Sequence, residues 1–109
     1  ADQILESLMK GYNDENYALY SADFDEVMKQ NLTPAVFDQT NSLIKHKLGA
    51  YHSVGFDRFE QQNQYQIFLY SGTFEKEDTV TIKLVLQRYP EDGVKVSGLW
   101  FDSPGLRTP

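Results

Sequence analysis

Apolar residues follow a helical period in the first half of the chain and an alternating one in the second. Ile4, Leu5, Leu8, Met9 and Tyr12 share one helical face, with Asp2, Glu6 and Lys10 between them. This predicts an amphipathic first helix that stops near the helix-breaking cluster Gly11-Tyr12-Asn13-Asp14. A short second helix is expected over 16–21, with Tyr17, Leu19 and Tyr20 as its bulky residues. A third, over 24–32, has Asp23 as its N-cap and carries Phe24, Val27 and Met28 on one side. The fourth has the fullest set of signals. Thr33 is a cap residue and Pro34 sits at the first helical position. Val36, Phe37, Thr40, Leu43, Ile44 and Leu48 form its apolar stripe, and Lys45, His46 and Lys47 fill the last turn, where cations suit the negative end of the dipole. Gly49 closes it as a left-handed cap.

From Ala50 onward the period is two. The first strand, 51–59, changes parity around Gly55: His52, Val54 and Phe56 share one face, and Phe59 falls on the other. A bulge or sharp bend is expected there. The second strand, 65–74, is bulky on both faces, with Gly72 as a second bend. The third, 79–89, alternates most cleanly, with Val80, Ile82, Leu84 and Leu86 opposite Thr79, Thr81, Lys83, Val85 and Gln87. Pro90-Glu91-Asp92-Gly93 is a tight hairpin turn leading into a last strand over 94–101. Ser103-Pro104-Gly105 then ends regular structure, so one domain over 1–102 and a tail over 103–109 are expected. Segregated helices and strands joined by short turns give an α+β class, with N-terminal helices packed on a curved four-stranded antiparallel sheet.

Composition narrows the function classes. A chain of 109 residues is one domain, and 40% hydrophobic with 24% charged residues is globular rather than disordered. The net charge is −6, and the basic residues are scattered, with no run longer than Lys45-His46-Lys47. Phosphate neutralisation needs a basic face, so neither nucleic acid nor an anionic membrane surface is an expected partner. There is no cysteine, which removes disulfides, thiolate nucleophiles and cysteine-bound metals. Apolar runs such as Leu84-Val85-Leu86 and Leu99-Trp100-Phe101 are too short for a membrane span or signal core. The chain enters its first helix almost at once from Ala1, which reads as a processed or trimmed terminus. An export signal or anchor upstream, and hence an extracytoplasmic location, is the matching expectation.

Four segments together carry a family resemblance. They are Gly11-Tyr12-Asn13-Asp14-Glu15-Asn16-Tyr17, Phe24-Asp25-Glu26-Val27-Met28-Lys29, Leu48-Gly49-Ala50-Tyr51 and Val96-Ser97-Gly98-Leu99-Trp100-Phe101. Over about Ile4 to Phe101 the chain resembles the small bacterial and archaeal domain DUF3887, within the NTF2-like (cystatin-like α+β cone) superfamily. The resemblance implies a curved sheet wrapped around helices and leaving a conical cavity, in a domain that stands alone behind an export signal or precedes a hydrolase. It brings no catalytic residues, and fold alone does not choose a function. A non-catalytic accessory role is therefore expected, binding a small ligand or protein in the cone or assembling through the sheet. The alternative is an isomerase, dehydratase or cyclase of the ketosteroid-isomerase kind. A cystatin-like inhibitor is not supported, because the Gln-x-Val-x-Gly loop is missing.

Candidate chemistry follows from these frames. Proton transfer beside a carbonyl would need a desolvated acid, Asp57 or Asp102, and a donor among Tyr17, Tyr20, Tyr51 and Tyr70. Both acids lie beside glycine, a strand end or Arg58, where carboxylates are ordinarily solvated. His46 and His52 are the only histidines and lack further ligands for zinc, so no metal and no cofactor is expected. Ser53, Ser71, Ser97 and Ser103 show no nucleophile elbow, and no phosphate-binding glycine loop is present. Tyr17, Tyr20, Phe56, Tyr70, Phe74 and Trp100 are candidates for a cavity lining, against the plainer reading that they fill the core. Trp100 is expected to pack partly buried against the helices, so that Trp100→Ala would cost ~3–5 kcal/mol. Tyr65, Ile67 and Leu69 oppose Phe68, Tyr70 and Phe74 on one strand, which implies that both sheet faces are covered. With Val85 and Leu99 they are the expected contacts of a sheet-to-sheet homodimer.

Overall fold

Four helices precede four strands in the computed structural model, which describes residues 2–104. The helices are α1 (Asp2–Asp14), α2 (Tyr17–Tyr20), α3 (Glu26–Asn31) and α4 (Pro34–Leu48). The strands are β1 (Tyr51–Gln62), β2 (Tyr65–Phe74), β3 (Val80–Tyr89) and β4 (Gly93–Asp102). The strands pair antiparallel in the order β1-β2-β3-β4, and the sheet is not closed into a barrel. This is the α+β arrangement that the change of period predicts.

The helix signals act largely as read, with two shifts. α1 ends at Asp14, inside the expected stop cluster, with Gly11 still helical. Gly11 is buried because α2 crosses directly on it, and a Cβ there would lie 2.5 Å from the Tyr20 backbone nitrogen. α3 opens two residues later than expected, capped by Asp25 rather than Asp23. Phe24 is not helical: it forms a parallel bridge to Val96 and is buried. The stripe of α4 is also displaced. Phe37, Asn41 and Leu48 are its buried residues, while Val36 and Leu43 are exposed. Asn41 is tolerated inside because its Nδ2 donates to the Tyr12 carbonyl at 3.2 Å. Thr33, Pro34 and Gly49 hold the expected cap positions, with Gly49 at φ 78°.

The core lies between the helices and one face of the sheet. Leu5, Leu8, Met9 and Tyr12 of α1 meet Ile82, Leu84 and Leu86 of β3, Val96 of β4 and Phe74 of β2. Tyr12 packs edge-on to Phe74 with centroids 5.7 Å apart and donates its hydroxyl to the Gly49 carbonyl at 2.8 Å. Register breaks fall at His52 and Asp57 in β1 and at Ser97 in β4. Gly55 and Gly72 pair regularly with Ser71 and Val54, so neither is the bend expected of it. The bulge at Asp57 turns Phe59 onto the same face as Phe56, and both rings contact Phe68. Ser103 follows β4 buried, donating to Glu77 at 2.7 Å, and the remainder of the expected tail, 105–109, lies outside the described residues, as does Ala1.

Candidate binding groove on the outer sheet face

The pairing sorts each strand residue to a face. Lys83 opposes Trp100, Val85 opposes Gly98, and Ile67 opposes Val85, so these lie on the side away from the helices. Trp100 is therefore not packed on the helices as expected. It is 54% exposed and lies across Gly98, where a Cβ would come within 2.5 Å of the indole Cη2. The Lys83 ammonium sits 5.1 Å from the ring centroid, within cation–π range. Around the indole is a groove of about 370 Å³. Ile67 and Val85 are its buried floor, with Tyr65, Val27 and Trp100 beside them.

A polar cluster closes one end of the groove. Asp25 reaches it because the segment before α3 runs along the β4 edge, with the Asp25 N–H donating to the Val96 carbonyl at 3.0 Å. Asp25 Oδ1 caps α3 by accepting from Met28 N at 2.8 Å. Its Oδ2 accepts from Tyr89 OH at 2.7 Å and Ser97 Oγ at 2.6 Å. Burial works against the charge, but hydrogen bonds from Ser97, Met28, Tyr89 and Val27 outweigh it and hold the carboxyl below the usual range. The bond to Asp25 in turn raises the Tyr89 phenol. Gln87 Oε1 lies 3.2 and 3.3 Å from the same two hydroxyls, whose single protons go to the closer Asp25. Both hydroxyls are committed as donors to a carboxylate held below its usual range, a weak base for activating a nucleophile.

The expected pocket residues do not form one site. Trp100 belongs to the outer groove, and Asp102, opposite Thr81, lies exposed on the same outer face. Asp57 is the exposed residue of the β1 bulge. Tyr20 is core, packed edge-on to Phe24 and tilted against Phe37, and burial pushes its phenol well above the ordinary value. Tyr17 packs on Phe37 and donates to the Leu32 carbonyl at 2.7 Å. Phe56 and Tyr70 do meet, 5.7 Å apart, in an open cleft of about 590 Å³ beside the start of α1. There Tyr70 OH donates to Asp2 at 3.0 Å, and farther along α1 Tyr51 OH donates to Glu6 at 3.3 Å. Of the expected interface residues, Tyr65, Ile67, Leu69 and Val85 share the outer face, whereas Leu99 opposes Leu84 and packs on the core. His46 and His52 join no group of three metal-ligating side chains among the described residues.

Asp25, Tyr89, Gln87 and Ser97 were not candidates from the sequence. One signal was present: Val94 and Val96 have one parity and Leu99 and Phe101 the other, which requires an extra residue between them. That residue is Ser97, and the bulge is what brings its hydroxyl to Asp25. The link to Asp25 itself spans 72 positions in sequence and leaves no local trace.

Fold and site together define a small α+β domain with an open four-stranded antiparallel sheet, whose outer face carries an aromatic-walled groove. No helix among the described residues is long and apolar enough to cross a membrane. The chain belongs to the family described as "Protein of unknown function (DUF3887)", which it matches over residues 6–89, from α1 to the end of β3. Neither a curated protein nor a solved structure matched the chain.

Proposed function

We propose that the protein is a non-catalytic accessory domain that binds a protein partner through the outer face of its sheet, with the Trp100 groove taking an aromatic side chain. The observation that carries this reading is Trp100, half exposed at the wall of a groove whose floor, Ile67 and Val85, is already withdrawn from water. A concave apolar surface ending in a few fixed polar groups is the usual form of a recognition pocket. Tryptophan is also the residue type most enriched where interfaces concentrate their energy. The NTF2-like reading of the fold goes with this role, supported by helices on one face of an open antiparallel sheet. The isomerase alternative needs a buried acid facing a tyrosine hydroxyl inside an open cone. The space between helices and sheet is instead filled by Leu5, Met9, Tyr12, Ile82 and Leu84, and Asp25, the buried acid among the described residues, lies outside it at the sheet edge.

The test is a two-dimensional NMR titration with p-cresol, the side-chain analogue of tyrosine. Amide shifts concentrated at Ile67, Val85, Gln87 and Trp100, and lost in Trp100→Ala, are expected. Shifts concentrated elsewhere, or surviving that substitution, overturn the reading. A second copy docked through the same face is another form of it, supported by Tyr65, Ile67, Leu69 and Val85 sharing that surface. Trp100 is the sole tryptophan. An emission maximum that stays fixed as protein concentration rises removes the face-to-face form.

A further inference from the structure

The two edges of the sheet are finished differently. Along β4 the chain before α3 closes the edge: Phe24 bridges Val96, and Val96 N donates to the Asp23 carbonyl at 2.6 Å. Along β1 only the start is held, where the Asn13 side chain takes both backbone groups of Tyr51, at 2.8 and 2.9 Å. Beyond the Asp57 bulge, residues 58–62 run in regular register against β2. The backbone groups on their outer edge have no partner among the described residues.

Two side-chain features accompany this open edge. On the helix side, Phe56 and Phe59 are 57% and 47% exposed, and Phe59 packs tilted against Phe68 with centroids 5.0 Å apart. On the outer side, Arg58 and Glu60 alternate in sign, 3.8 Å apart. Protected edges ordinarily carry charges that repel an incoming strand. Opposite signs two residues apart do the reverse when a strand meets its own antiparallel copy.

We propose that the 58–60 edge of β1 pairs antiparallel with the same edge of a second copy, with Phe59 facing its counterpart, so that two four-stranded sheets become one. A two-fold axis perpendicular to the sheet must place one residue opposite itself. Centring on Arg58 opposes two arginines, and centring on Glu60 opposes two glutamates. Centring on Phe59 places Arg58 across from Glu60 of the second copy twice over, and merges the two exposed aromatic clusters. Directly opposed unlike charges and aromatic pairs are the favourable cross-strand combinations.

The absence of cysteine in the chain makes the register directly readable. Under a mild thiol–disulfide buffer, Phe59→Cys should cross-link to itself readily, and Gln61→Cys should not, since its copies lie on opposite sides of the axis. Sedimentation should show Arg58→Glu weakening the dimer roughly fivefold to tenfold. The charge swap Arg58→Glu with Glu60→Arg should restore it, because opposite signs again face each other. Cross-linking at 61 as fast as at 59, none at 59, or a swap no better than the single change each overturns the proposal. Trp100 emission stays constant as this edge pairs, so failure here and failure of the outer-face reading are seen in different signals.

Discussion

Several separate interactions converge on Asp25. It caps α3, receives Tyr89 and Ser97, and hydrogen-bonds through its backbone to β4. Losing a cap costs about 1 kcal/mol and losing hydrogen bonds to a buried charge about 1.5–3 kcal/mol. Asp25→Ala is therefore expected to destabilise by about 2–4 kcal/mol in urea unfolding. The pH dependence has a definite sign. A carboxyl held below its unfolded value of about 3.9 contributes stability above that pH and loses it as pH falls through the folded value. The stability gap between the native chain and Asp25→Asn should thus be constant near neutrality and shrink in acid; a gap that widens there would contradict the hydrogen-bonded anion. Trp100 carries the opposite expectation. An indole 54% exposed and packed over Gly98 should cost about 1 kcal/mol on Trp100→Ala, not the 3–5 kcal/mol of a buried ring. Its neighbours already decide this, since alternation puts Phe101 with Ile82 inside and Trp100 outside. Ring size suggests burial, but strand parity is the stronger rule.

Elements show where local signals suffice and where they fail. The Thr33-Pro34 start and Gly49 stop of α4 are local backbone chemistry and can be read directly. Gly11 is instructive, because glycine in a helix is ordinarily a breaker. Here it is the contact point between α1 and α2, and the Tyr20 Cα would lie 2.7 Å from an added Cβ. Helix propensity alone favours Gly11→Ala by roughly 1 kcal/mol. Clash with fixed backbone should reverse that sign, giving a net loss of about 2 kcal/mol or more in thermal or urea unfolding, in the range of overpacking. A neutral or stabilising outcome would mean that α2 can retreat. The α4 stripe is displaced for a related reason: Val36 and Leu43 fit the period, but helix orientation depends on the partners, which put Asn41 inside. Bulges were legible only in part. The parity change in β1 marks an irregularity, yet it is resolved at Asp57 rather than at glycine, because a bulge needs an extra residue and not a missing side chain.

Across the whole molecule, phenols are a shared electrostatic liability. Burial pushes Tyr12, Tyr20 and Tyr70 well above their ordinary values, and burial together with Glu6 pushes Tyr51 up to about 12. Groups raised in the folded state add stability that is complete below their unfolded pKa of about 10 and is lost as pH rises through the folded values. Stability is therefore expected to hold up to about pH 10 and fall steeply above it. Far-ultraviolet dichroism recorded with the tyrosinate absorbance should show both changing together; early, gradual ionisation of all tyrosines in a folded chain would refute it. The α+β class and strand order were readable because they depend on periodicity and turn length. The groove was not, because it is assembled from α3, β2, β3 and β4, and no single segment reveals which outer positions converge. One side chain sets a gradient along the whole first hairpin. Asn13 grips both peptide groups of Tyr51, while the distant end near Gln62 ends in a turn with Asn63 at φ 56°. In the monomer, deuterium should thus enter β1 from its tip and reach the Tyr51 amide last, as in a zipper clasped at one end, and Asn13→Ala should free that clasp and let the strand fray from both.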